Sequence, residues 1–425
     1  MKLIKEITRM IKSYEIIDCL AGNKAYWLVC VLGWLIFVFP GNINAQNDAW
    51  EDVPGVVITH QPPSTGLYIG SPSIAVLPNG DYVASHDFFG PESSEHRIGV
   101  SRVYTSRDRG VTWTRISEIR GAFWSSLFVH RGDLYLMGPD RHHGAVLVRR
   151  SEDGGRTWTE PYHARNGLVR RGMFHCAPMP VIEHNGRLWR AMETAHGPDL
   201  AWGKRYGAMM MSAPVDADLL MADNWTVSNP LLYDSTYLDG KFTGWLEGNA
   251  VVDPNGEMVI ILRTDDRTSF DEKASIVRVS SDGKKASFDP ETGFIPFPGG
   301  GKKFAIRYDD ASARYWTLSN AIQPKYIPEF PERNGPNFRN TLVLMSSDDL
   351  REWVIHEIVL EHPDVLHTGF QYVDWLVDGD DLIAVSRTAF YDGDSLANSH
   401  HNANFLTFHR IENFRKKVKN VIRLE

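Results

Sequence analysis

Seven side chains able to move a proton or hold an anion stand in short polar stretches of the chain: His142, His143, His175, Glu247, Arg263, Arg387 and His401. A neutral imidazole, with a pKa near about 6.5, takes a proton from a hydroxyl or a water at neutral pH. The planar fork of an arginine matches a carboxylate. An eighth group, His86, lies apart in Ser85-His86-Asp87-Phe88-Phe89-Gly90-Pro91 and carries the same proton-accepting imidazole. Glu193, Glu247, Asp265, Asp266 and Asp374 supply carboxylates for a conventional glycosidase pair. Such a pair stands about 5 Å apart in a retaining enzyme and about 6.5–9.5 Å apart in an inverting one. No His-x-x-x-His pair and no EF-hand loop is present, so no catalytic metal is expected and the chain reads as cofactor-free. A structural calcium stays open. The neighbours His142-His143 and His400-His401 each give at most one ligand to a common site, because adjacent side chains on a strand point apart.

These groups need a scaffold that brings distant segments together, and a repeat supplies it. Ser151-Glu152-Asp153-Gly154-Gly155-Arg156-Thr157-Trp158 and Ser106-Arg107-Asp108-Arg109-Gly110-Val111-Thr112-Trp113 are two copies of one turn. Eroded copies follow at Ser280-Ser281-Asp282-Gly283 and at Ser346-Ser347-Asp348 with Trp353. The glycines tolerate positive φ, the aspartate caps turn amides, and the tryptophan packs between sheets. The first strand of each repeated unit is expected to begin near Ser71, Phe123, Phe174, Leu246, Phe304 and Phe370. Hairpin turns follow at Pro78-Asn79-Gly80, His130-Arg131-Gly132, His184-Asn185-Gly186, Pro254-Asn255-Gly256 and Val377-Asp378-Gly379-Asp380. The spacing predicts an all-β chain, a single β-propeller of four-stranded blades, six by this count. Pro54-Gly55-Val56-Val57-Ile58-Thr59-His60 is an orphan strand expected to complete the last blade. Met209-Met210-Met211 reads as blade core.

The repeated turn resembles the Asp box of the sialidase-like β-propellers, where it is a structural turn, so its aspartates are assigned no catalysis. Tyr68-Ile69-Gly70-Ser71-Pro72-Ser73 stands where sialidases carry an Arg-Ile-Pro motif, and it holds no arginine. Sialidase activity is therefore not the first expectation. Asp81 to Pro91, Gly121 to Phe128, Asp140 to Gly144, Trp245 to Asn249 with Arg263, and Asn402-Ala403-Asn404 resemble a secreted Bacteroidetes family. Those propellers act on rhamnose linked α-1,4 to glucuronic acid on plant arabinogalactan, and related ones are uronate-directed lyases. The resemblance favours seven blades. It implies an α-L-rhamnosidase-like glycoside hydrolase with His86 as catalytic base, Trp124 as a sugar platform and Arg263 on the uronate. The lyase alternative uses His143 and His175. Glu247 stands where the lyase tyrosine is expected, with Tyr206, Tyr233 or Tyr237 as substitutes. A carbohydrate-binding propeller without catalysis is the third reading.

The chain has 425 residues and a net charge of -8, which disfavours nucleic acid as a partner. The expected partner is a uronic-acid-containing oligo- or polysaccharide. An apolar run from Tyr26 to Phe39 follows a basic region, and Ile43-Asn44-Ala45 offers small-residue cleavage chemistry. It predicts a secretory signal over residues 1–45, a linker over 46–53 and the propeller over 54–425, with Met10 as an alternative start. The run is shorter than the roughly 20 residues of a membrane span, so no stable membrane partner is expected. Export to the periplasm, cell surface or medium follows. Cleavage would leave Cys176 as the one cysteine, without a disulfide. The basic run from Arg415 to Lys419 reads as a solvated tail.

Overall fold

Alternating apolar runs broken by Asn-Gly and Asp-Gly turns fold into six antiparallel sheets arranged as a β-propeller ring. The computed structural model describes residues 50–196 and 201–425. The expected signal peptide lies outside the described residues.

Blade one comprises Tyr68–Ile69 and Ser73–Val76, Tyr82–Phe89, Val100–Ser106 and Thr114–Arg120; blade two comprises Ser126–His130, Asp133–Pro139, Val146–Ser151 and Leu168–Arg170. Blade three comprises Phe174–His175 and Ile182–His184, Arg187–Ala195, Tyr206–Pro214 and Thr226–Val227. Blade four comprises Phe242–Val252, Met258–Asp266, Lys273–Val279, and Ala286–Ser287 with Phe294–Pro296. Blade five comprises Ala305–Asp309, Arg314–Ser319, Thr341–Ser347 and Val354–Glu361. Blade six comprises Gly369–Asp378, Asp381–Ala389, Phe405–Ile411 and the N-terminal strand Val56–His60. The orphan strand thus does close the ring, with Val56 opposite Phe408 and His60 opposite Phe405. Six blades form, not the seven that the resemblance favours.

Each first strand begins close to its expected position, and the innermost strand of blade six packs against that of blade one. The anticipated turns join first strands to second strands. Asn185 and Gly186 both take positive φ, as a tight hairpin between right-twisted strands demands. The core lies between blades. Trp189, Trp245, Trp316 and Trp375 are fully buried there, and Met209, Met210 and Met211 are interior as expected. Cys176 is buried and free.

The Asp boxes are turn architecture. In the first, Asp108 accepts from the Thr112 amide (2.9 Å) and the Ser106 hydroxyl (2.8 Å), while Trp113 donates to the Gly110 carbonyl (3.1 Å). Asp153 repeats this with Thr157 and Ser151. Partial burial opposes its ionisation, but those hydrogen bonds outweigh it and hold the carboxyl at about 2. The fourth box shifts by one residue from its expected register. Ser347 and Asp349 cap that turn, while Asp348 pairs with Arg314. The basic run is also no free tail. It forms a 3-10 turn over Phe414–Lys419, with Arg415 on Asp309 (2.7 Å) and Lys417 on Glu357.

Gly110 joins the first box to the closing strand. Its φ is +95°, and an added Cβ would meet the Phe408 ring at 2.2 Å. Gly110→Ala should lower stability by about 1–3 kcal/mol, through overpacking at the seam where blade six meets blade one. Urea unfolding followed by tryptophan fluorescence measures the loss.

Candidate active site

Four non-glycine residues with positive φ converge on one end of the central channel: Trp124 (48°), His143 (57°), Glu247 (54°) and Tyr372 (55°). Backbone of this kind costs free energy and concentrates where side chains must be aimed. Two of the four sit in bulges of innermost strands. The register of blade four slips between Leu246 and Asn249, and that of blade six between Gln371 and Asp374. A bulge re-aims the side chain it carries. Here it turns Glu247 and Tyr372 toward each other across the channel.

The Tyr372 hydroxyl donates to Glu247 Oε1 at 2.9 Å, and Arg263 holds Glu247 Oε2 at 3.2 Å. Burial alone would raise the Glu247 carboxyl, but Arg263, His175 and the Tyr372 hydroxyl outweigh it and keep it below the usual range. Burial, then the Glu247 charge, pushes the Tyr372 phenol up. Arg339 and Arg387 flank the same ring, with guanidinium carbons 5.5 Å and 4.8 Å from its centre. Both are buried, at 5% and 3% exposure, yet among the described residues neither makes an ion pair. Arg339 donates to the Pro336 carbonyl and Gln371, Arg387 donates to the His401 carbonyl, and Arg387 Nε has no partner. Burial drags both below the ordinary arginine range, Arg387 to about 10.

A cavity of about 250 Å³ opens over Tyr372, lined by Asp87, Glu95, Trp124, His142, His175, Glu247, Arg387 and His401. A second, of about 200 Å³, shares Tyr372, Trp202 and His401 and is lined by Arg263, Arg267 and Arg339. Tyr372 stands where they join. Asp87 faces it from blade one, accepting from the Ser71 amide (2.8 Å) and the Trp124 amide (2.5 Å). Burial raises the Asp87 carboxyl to about 7 despite those bonds and the nearby Arg387; the Glu95 charge adds to the rise. On the blade-three side, His175 pairs with buried Glu193 (2.9 Å), whose other oxygen accepts from the Gly248 amide. His143 contacts the Tyr206 hydroxyl at 2.8 Å.

Of the residues singled out in the sequence, Trp124, His142, His175, Glu247, Arg263, Arg387 and His401 line these cavities. His143 lies behind them against Trp124 and Trp202. His86 does not join them. It is 1% exposed, stacked on Tyr104 and edge-on to Phe88, with Nδ1 on the Asp87 carbonyl. Burial pulls it down to about 4, so it is a neutral packing histidine at neutral pH. Strand alternation turns its neighbour Asp87 to the channel instead. Tyr206 is fully buried, and Tyr233 and Tyr237 pack into the blade-four core, so none reaches the cavity as the lyase tyrosine. Asp265 and Asp374 pair with Arg267 and Arg307, and Asp266 caps Thr268. The sequence reading missed Asp87, Glu95, Trp202, Arg339 and Tyr372. Tyr372 hides in Gly369-Phe370-Gln371-Tyr372-Val373-Asp374-Trp375, which reads as an apolar strand.

The sequence matches no family model and no curated protein. Solved propellers match over most of the chain. An α-L-arabinanase of Penicillium chrysogenum, bound to arabinobiose, has 17% identity and a TM-score of 0.51, covering 87% of this chain and 99% of that one. A protein of unknown function from Dyadobacter fermentans has 16% identity and a TM-score of 0.52, covering 85% and 100%. A sialidase of Trypanosoma rangeli, bound to sialic acid, has 13% identity and a TM-score of 0.51, covering 83% of this chain and 55% of that one. At such identities the likeness establishes the β-propeller fold alone.

Two outcomes follow from the placement. Arg263→Met strands the Glu247 charge in the interior and should cost about 3–5 kcal/mol in urea unfolding, whereas adding Glu247→Gln should restore part of the loss. His86→Asn should lower stability by about 1–3 kcal/mol through lost packing and a hydrogen bond. It should leave sugar release, followed by chromatography, within a few-fold of the parent.

Proposed function

We propose that the protein is a retaining glycoside hydrolase for a glycan carrying a carboxylate, with Tyr372 as nucleophile. The observation that carries this reading is the Tyr372–Glu247 hydrogen bond set between two buried guanidiniums that, among the described residues, make no direct ion pair and feel Glu247 and Asp87 only at longer range. A buried charge without a partner is costly, so Arg339 and Arg387 are accounted for by an anionic ligand. A neutral phenol also meets an anionic sugar without the repulsion a carboxylate nucleophile would suffer. Tyrosine in place of the second carboxylate is a recognised variant of the two-carboxylate scheme.

The steps then have named carriers. Tyr372 Oη attacks the anomeric carbon as its proton passes to Glu247, and protonated Asp87 gives its proton to the leaving oxygen. Water attacks the anomeric carbon from the face opposite Tyr372, where the leaving group stood, Asp87 takes the water's proton, and Glu247 returns a proton to the departing Tyr372 oxygen. Two inversions give retention. Trp124 and Trp202 offer faces for the sugar ring. The solved arabinanase and sialidase neighbours, whose bound ligands are arabinobiose and sialic acid, support a sugar as substrate.

Hydrolysis of rhamnose linked to glucuronic acid is one member of this class, since its uronate would meet the same arginines. β-Elimination is less supported, because Tyr206, the tyrosine next to His143, is fully buried. Export of the chain, as its N-terminal sequence suggests, suits action on an external glycan.

The test is a panel of sialosides, aryl uronides and gum arabic, with released sugars resolved by chromatography and an ultraviolet trace for unsaturated uronates. Release of an acidic sugar or of rhamnose, without an ultraviolet rise, is expected. Tyr372→Phe should lower kcat/KM at least about 10³-fold, and Glu247→Gln about 10²–10⁴-fold. A product with an unsaturated uronate, or full activity in Tyr372→Phe, would overturn the reading.

The pH profile gives a separate check. Asp87 must be protonated, so activity should fall as pH rises through its value of about 7. Glu247 must be ionised, and its lowered pKa places the acid limb below the usual carboxylate range. Asp87→Asn should abolish the alkaline limb with natural substrates, yet spare the first step with aryl substrates whose leaving groups need no proton, read as a burst of released phenol before slow turnover.

A further inference from the structure

At the mouth of the larger cavity, Glu95 Oε1 faces two imidazoles, His96 Nε2 at 3.3 Å and His142 Nδ1 at 3.2 Å. The three potential ligand atoms all lie within 4.8 Å of one another. We propose that Glu95, His96 and His142 bind a divalent transition-metal cation of the zinc class beside the cavity.

The spacing suits such an ion. Tetrahedral zinc, with bonds of about 2.0–2.1 Å, holds its ligand atoms about 3.3 Å apart. Two neutral imidazoles and a carboxylate favour zinc-like cations over calcium or magnesium, which take oxygen ligands. The site is also braced from outside. Glu95 Oε2 accepts from the Gly90 amide and the Ser93 hydroxyl, both at 3.2 Å, which leaves Oε1 to the imidazoles. The His142 amide donates to the Glu95 carbonyl at 2.8 Å and fastens the two loops together. The His142 ring lies between Trp124 (4.7 Å) and His96 (4.6 Å), so its orientation is set by packing. Partners of this sort orient metal ligands and tune their basicity.

Three protein ligands leave a fourth position. Glu95 and His142 both line the cavity, so that position is within reach of water or a sugar hydroxyl there. The sequence pattern concealed the set, because consecutive Glu95-His96 meets a histidine from another blade. Of the His142-His143 pair, only His142 takes part; positive φ at His143 sends that ring to Tyr206 instead.

The site stands independently of the hydrolase reading, so its test reads binding, not turnover. Full-length protein without a histidine tag is titrated with Zn²⁺ alone by calorimetry, with Ca²⁺ as the comparison ion. One equivalent of Zn²⁺ should bind, with no response to Ca²⁺. His96→Ala removes a largely exposed side chain, which keeps the fold intact, and should weaken binding more than about 100-fold. Ser93→Ala should weaken it about tenfold by freeing the carboxylate. Absence of stoichiometric binding, or equal affinity in His96→Ala, would overturn the proposal.

Discussion

Ring closure is the constraint on which the site depends. The pairing of Val56–His60 with Phe405–Ile411 fastens the first described strand into the last blade and leaves no open sheet edge between them. The side chains of the channel come from all round that ring. Asp87 belongs to blade one, Trp124 and His142 to loops around blade two, and His175 with Glu193 to blade three. Glu247 and Arg263 belong to blade four, Arg339 to the segment between strands of blade five, and Tyr372 with Arg387 to blade six. None of these neighbours is held to the others by local chain geometry. Release of the Val56–His60 strand would break its hydrogen bonds within blade six and free blade six from blade one, separating Tyr372 from Asp87.

Inside the closed ring, the energetics are those of charge removed from water. Glu247 is tolerable because Arg263 and the Tyr372 hydroxyl hold it, and Arg263 is shared with Asp265 at 3.6 Å. Among the described residues, the arginines on either side of Tyr372 make no direct ion pair, and burial outweighs the longer-range pull of Glu247 on both and of Asp87 on Arg387. Desolvation without pairing costs far more than a surface ion pair returns. That imbalance, together with positive φ at Glu247 and Tyr372, marks backbone and charge kept in unfavourable states at one place. The blades around it are well-packed apolar sheets, and their burial offsets the cost.

Periodicity and turn chemistry made the scaffold legible. Gly and Asn at turns, alternating apolar runs and the orphan strand near Val56 were enough for the class, the hairpins, the closure and the six blades. The fourth Asp box slipped by one residue because Ser346-Ser347-Asp348-Asp349 offers two registers, and only packing chooses between them. The site was legible by residue type but not by aim. His86 and Asp87 are adjacent, and the chemistry of histidine drew attention to the one that strand alternation turns into the core. Tyr372 and Arg339 look like ordinary members of an apolar strand and a loop. What distinguishes them is a bulge and the lack of an ion-pair partner, and neither property exists before the chain is folded.

The missing arginine of the Tyr68 to Ser73 stretch has a physical cause in the fold. Gly70 presses against Asp87 so closely that a Cβ there would meet Asp87 Oδ1 at 1.6 Å. No larger side chain fits without displacing the carboxylate, which is itself fastened by the Ser71 and Trp124 amides. Arginine at this position and Asp87 in its present place therefore exclude one another. The cavity is divided as a result: guanidiniums gather on the side of blades four to six, and blade one presents Asp87 with the buried, unpartnered Ser71 hydroxyl. A ligand that satisfies both sides carries its negative charge toward Arg339 and Arg387 and its hydroxyls toward Ser71 and Asp87. Orientation in this site is thus imposed by which groups the ring leaves without partners, more than by the shape of the channel.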